Sequence, residues 1–133
     1  MNSLCDFVYT KYPGAKETVD RQQIENLLRN NKENTLKIEC HGDIVGAGFY
    51  VRITDESLFK LRVGLIDITH PDEILKLLKE SGNNIHFLFA ISDGQKTILK
   101  GIREVMRIHN PRTISWFNKD MTKLNIFNLK GRV

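Results

Sequence analysis

The stretch "IHFLFAISDGQKTILKGIREVMRIHNPRTISWFN" constrains the fold more than any other part of the chain. Residues 85–92 are apolar almost throughout, and an apolar run of strand length with no polar alternation marks a central strand covered on both faces. A short polar turn with Gly94 follows. Gln95–Asn110 then repeats apolar residues at helical spacing and stops before Pro111. A second strand, "RTISWFN", pairs in a hairpin with "KLNIFNL" across "KDMT". Any fold for this chain must therefore place a buried strand, a turn and an amphipathic helix in succession.

Upstream, "TVDRQQIENLLRNN" begins a helix, with Asp20 as cap, Gln23 three residues on and Val19 placed to touch Ile24. "TLKIECHGDIVGAGFYVRIT" is the clearest hairpin: Leu36, Ile38 and Cys40 alternate, and "HGD" supplies the turn. Gly46 and Gly48 interrupt its second strand, which predicts a bulge or a close approach by another backbone or a ligand. "LFKLRVGLI" reads as a third strand, with Phe59, Leu61, Val63 and Leu65 on one face. "THPDEILKLLKESG" is a short helix with Pro71 and two acids in its first turn and Gly82 as its stop. The order is helix, three strands, helix, strand, helix, two strands. That argues α+β or mixed α/β, with helices packed on a twisted sheet of about five or six strands.

A length of 133 residues fits a single domain spanning 1–133. With 41% hydrophobic and 27% charged residues the chain is globular in composition. No apolar run approaches the ~18 residues of a membrane span, and the first residues lack the marks of a signal peptide, so a cytoplasmic location is expected. Cys5 and Cys40 form no Cys-x-x-Cys pair, so neither a structural zinc nor a disulfide framework is expected, and Cys40 reads as a small buried hydrophobe.

The net charge of +4 is unevenly spread: from Gly94 onward nine Lys and Arg face only Glu104 and Asp120. At ~100° per residue Lys96, Lys100, Arg103 and Arg107 fall within about 60° of one another, opposite Ile98, Leu99, Ile102, Val105 and Met106. Such a stripe is either an ordinary solvated helix face or a track for nucleic acid or an acidic protein. No aromatic interleaves it, so bases have no stacking platform.

The turn at Ser92–Thr97 resembles a nucleotide-binding loop only superficially. A Walker A loop needs glycines where this chain has Ala90 and Gln95, so that reading is rejected. What survives is a helix start after a central strand, whose amides suit a phosphate or pyrophosphate. Lys96 adds charge, whereas Asp93 could cap the same amides. Catalytic groupings are sparse: His41 lies in a turn, His70 at a helix start, His86 in a buried strand and His109 at a helix end, where its charge would favour the dipole. His86 is a candidate for proton transfer, and Glu39 and Asp43 near the hairpin turn are others.

Taken in order, "IECHGDIVGAGFYVRIT", "SGNNIHFLFAISDG", the amphipathic helix, "TISWFN" and "KLNIFNLKG" resemble the acyl-CoA-dependent GNAT acetyltransferase superfamily over residues 20–131. The nearest likeness is to its short branches, the phage-encoded members and the toxin-activating lysine acyltransferases. Where the family's loop carries Gln or Arg, two residues, Gly, one residue, then Gly or Ala, this chain has Gly94 followed by Gln95. The resemblance implies a GNAT-like mixed sheet of about five to seven strands in one domain. It implies acetyl-CoA or a longer acyl-CoA as cofactor, held by Ile91, Ser92, Asp93, Gly94, Gln95, Lys96 and Thr97, and an amine acceptor. A second register would make "LRVGLIDITHPDEILKLLKE" the cofactor strand and helix. The other function class is a noncatalytic module of this fold that binds nucleic acid or an acidic protein through Lys96, Lys100, Arg103 and Arg107. A homodimer is compatible with either.

Overall fold

Helix α1 (Arg21–Asn30) leads through a 3-10 turn (Lys32–Asn34) into a hairpin of β1 (Thr35–Cys40) and β2 (Asp43–Ile53). Two helices, α2 (Asp55–Arg62) and α3 (Pro71–Leu78), precede β3 (Asn84–Ser92), α4 (Gln95–His109), β4 (Thr113–Phe117) and β5 (Leu124–Asn128). The computed structural model describes residues 21–68, 70–118 and 122–129. Asp20, Val19 and Cys5 lie outside the described residues, as do residues 119–121 of the last turn. The five strands hydrogen-bond in the order β1-β2-β3-β4-β5. β1 and β2 are antiparallel, β3 and β4 parallel, β4 and β5 antiparallel, which makes an α+β fold on a mixed sheet.

By contact density the chain divides into two units, and β2, β3 and α4 each run through both. One unit comprises the chain up to Phe49 together with Phe89–Val105, and the other comprises Tyr50–Leu88 with Met106 onward.

In the first unit, the β1–β2 turn is formed by His41 and Gly42, both with positive φ (53° and 86°). That matches the two-residue turn whose twist suits a hairpin. Past the turn the register slips between Ile38 and Glu39, so Val45 has no partner on β1 and its carbonyl accepts the Asp93 amide at 3.0 Å. The slip also corrects the expectation for Cys40, which is exposed at the turn end instead of continuing the buried phase of Leu36 and Ile38. Helix α4 packs on this hairpin through missing side chains. A Cβ on Gly101 would lie 2.6 Å from Ile38 Cδ1, and one on Gly46 would lie 3.3 Å from Thr97 Cγ2. The strand glycines therefore mark close approach by a helix and, at Gly48, by the Phe89 carbonyl. Leu99, placed on the core arc by periodicity, is half exposed, because Gly101 and Val105 form the contact face.

The second unit holds the larger departure from sequence expectation. Residues 58–66 are not a strand. The Thr54 hydroxyl accepts the Ser57 amide at 3.2 Å, Asp55 and Glu56 fill the first turn, and Lys60 and Arg62 the last, so α2 forms. The period is helical: Leu58 and Leu61 turn inward, whereas Phe59, Val63 and Leu65 are largely exposed. Positive φ at Gly64 ends the segment. The core here is Val51, Ile53, Leu61 and Leu77, with Leu58, Ile66, Leu88, Phe117 and Leu124 packed against it. Because "LFKLRV" is helix, the second register for the cofactor unit fails: no strand leads directly into α3.

Candidate functional site

Every residue from Ile91 to Thr97 lies in one continuous stretch, the end of β3 and the first turn of α4. Ile91 and Ser92 are half-buried, Asp93, Gly94 and Lys96 exposed, and Thr97 half-buried over the hairpin. Ser92 shapes the turn, its hydroxyl donating to the Gly94 carbonyl at 2.6 Å and accepting the Gly94 amide at 3.3 Å. The first intrahelical bond runs from the Ile98 amide to the Gly94 carbonyl at 3.3 Å, so the amides of Gln95, Lys96 and Thr97 precede the helical ladder. No acidic residue occupies the first turn of α4, and a Cβ on Gly94 would meet nothing within 4 Å. This is a helix start with donors, a cation and space.

The strand leading to the turn changes character along its length. From Asn84↔Thr113 to Phe87↔Trp116 it is paired with β4 and its four residues are buried. Beyond that ladder β3 continues to Ser92, half-buried or exposed.

His86 lies within the paired part and is fully buried. Its Nδ1 is 2.8 Å from Ser115 Oγ on β4, Phe117 packs edge-on at 5.4 Å, and Nε2 has no partner among the described residues. Burial lowers its pKa from 6.5 to about 4, which keeps the ring neutral. Ser115 was not singled out in the sequence, where nothing local ties it to His86; the pair comes from the register of β3 on β4. Glu39 is exposed and paired with Lys37 at 2.9 Å. Asp43 is exposed at the hairpin turn. The turn residues and Glu39 belong to the first unit and His86 to the second.

His109 departs from its expected role as a charge at the helix end. Its Nε2 is 2.9 Å from Tyr50 Oη and its ring meets that tyrosine edge-on at 5.5 Å. Burial, and then the positive charge of Arg52, lower its pKa, so the neutral ring is favoured. Lys96, Lys100, Arg103 and Arg107 are all exposed on α4. Among the described residues no group of three or more His, Cys, Asp and Glu could hold a metal, and no helix is long and apolar enough to cross a membrane.

No protein-family model matches the chain, and no curated protein matches it by sequence. Among solved structures it is similar to the GphF GNAT-like decarboxylase in complex with isobutyryl-CoA, with a TM-score of 0.60 and 16% identity. The likeness covers 85% of this chain and 58% of that one, so the chain spans less than two thirds of its neighbour's length. At that identity the likeness shows the fold, which is GNAT-like.

Proposed function

We propose that this chain binds acyl-CoA and passes the acyl group to an amine. The observation that carries the reading is the sequence of β3, turn and α4. A strand runs past its ladder with β4, and a helix start follows whose first amides lie outside the helical ladder, with no acid in its first turn. The pyrophosphate would lie on the amides of Gln95–Thr97, where the dipole and Lys96 favour negative charge. The pantetheine arm, carrying peptide groups of its own, would extend along residues 88–92. The GNAT-like fold, seen in a neighbour with isobutyryl-CoA, supports this placement.

In the transfer, the acceptor nitrogen attacks the thioester carbonyl, the C–S bond breaks and CoA leaves as the thiolate, while the nitrogen loses a proton. Glu39, at the surface, is the candidate base open to solvent. His86 would have to act from inside the ladder.

The test is a thermal-shift and amide-NMR titration with acetyl-CoA, isobutyryl-CoA and CoA. Binding to the native state raises its stability by roughly 3 kcal/mol at a hundredfold excess over Kd. Shifted amides at 92–97 support the reading. An unchanged melting temperature with unmoved signals at millimolar ligand removes it.

A further inference from the structure

Among the described residues the last strand has an unpaired edge beside an apolar notch. Among the described residues, β5 has β4 as its sole neighbour in the sheet. The Leu129 amide donates to the Arg112 carbonyl at 2.9 Å, and the Asn118 amide to the Lys123 carbonyl at 3.0 Å. Antiparallel partners alternate between bonding inward and outward. With Ile114 opposite Phe127 and Trp116 opposite Asn125, the backbone groups of Leu124, Ile126 and Asn128 face away from β4.

The side chain of Ile126 meets α2 on one face of this edge. With Leu58, Phe59, Asp55 and Arg62 it lines a notch of about 170 Å³. That is below the roughly 300–1,000 Å³ of sites that enclose small molecules, and it suits one protein side chain. The two charges on its wall differ. The Asp55 carboxylate is occupied by Asn84 Nδ2 at 2.8 Å and Arg112 Nη1 at 3.1 Å. Arg62 is exposed and has no hydrogen-bond or ion-pair partner among the described residues.

We propose that β5 receives an extended segment of a partner protein as a sixth strand, with an apolar side chain in the notch and an acidic one two residues away on Arg62. Main-chain bonds along an open edge supply affinity in such additions, and alternate side-chain pockets supply selectivity. Charge argues against a second copy paired β5 to β5, which would bring Lys123 and no acid to Arg62.

The test uses the full chain and capped heptapeptides alternating threonine and valine, with glutamate or lysine replacing a valine at either end. Addition slows exchange and shifts the amides of Leu124, Ile126 and Asn128. The glutamate peptide binds roughly tenfold tighter than the lysine one, the worth of about 1.4 kcal/mol. Arg62→Glu inverts that order, and Ile126→Asp abolishes both. Unaltered exchange at millimolar peptide overturns the proposal. So does equal binding of the two peptides, or protection of those amides that rises with protein concentration alone.

Discussion

At the start of α2 the chain supplies its own acceptors: Thr54 takes the Ser57 amide, and the Glu80 carboxylate takes the Thr54 amide at 2.9 Å and the Ser57 hydroxyl at 2.7 Å. At the start of α4 the turn is tied by Ser92 to Gly94, one residue before the helix, and the first turn has no acid. The unit around α2 continues in the same manner. Asn84 donates to the Ile53 carbonyl and to Asp55, and accepts from Thr113 at 2.7 Å. The unit around the α4 start holds instead by backbone closeness, Gly101 against Ile38 and Gly46 beneath Thr97. Side chains that satisfy one another stabilise a fold but leave nothing to offer a ligand. The first turn of α4 holds no acid of its own, and the helix is seated by glycine contacts instead.

The largest effect expected concerns the unit around α2. His86 has its pKa lowered from 6.5 to about 4. As pH falls through 6.5 the unfolded chain takes up a proton that the folded chain refuses, so stability drops between about 6.5 and 4 and levels off below. The shift corresponds to about 3 kcal/mol at most. His109, also lowered, adds a slope of the same sign. Urea midpoints of the wild type and His86→Gln, compared at pH 7, 5.5 and 4, should converge as pH falls. A constant difference would mean that the ring is not held neutral, and the contrast between the units would lose its strongest member.

Next in size is a matched pair of deletions at the two helix starts. Glu80→Ala removes a carboxylate holding an amide and a hydroxyl, and should cost about 2 kcal/mol in thermal or urea unfolding. Ser92→Ala removes bonds that an exposed turn can replace with water, and should cost about 0.5 kcal/mol. Equal losses would erase the distinction between a helix start held by partly buried side-chain acceptors and one held by a surface turn.

Much of this was legible in the sequence, and the failures have physical reasons. The apolar run at 85–92, the stop at Pro111 and the "HG" turn each carry a local signal strong enough to fix an element. The segment after Ile53 misled because Phe59, Leu61, Val63 and Leu65 alternate like a strand, while Thr54 and its acids signal a helix. The cap prevailed, helped by Glu80, distant in sequence and invisible to any local pattern. Cys40 was misplaced by a register slip that no periodicity reveals. The turn at 91–97 could be located, since a strand followed by a helix must expose amides there. The His86–Ser115 pair could not, because it depends on the register of two strands far apart in the chain.

The smallest expected effect tests the open start directly. Asp93 is exposed just before α4, and a negative charge there opposes an anion brought to the first amides. Asp93→Asn should tighten CoA about threefold, and Lys96→Gln should loosen it by a similar factor, both differences shrinking as salt rises from 50 to 500 mM. The pair is informative because the signs oppose: a general loss of folding would weaken both variants, and a binding site elsewhere would leave both unchanged. Calorimetric titration with CoA resolves factors of that size. If Asp93→Asn binds more weakly than the wild type, its carboxylate is positioning the turn and not repelling the guest. The start of α4 would then be self-capped in the manner of α2, and the reason for placing a pyrophosphate there would be gone.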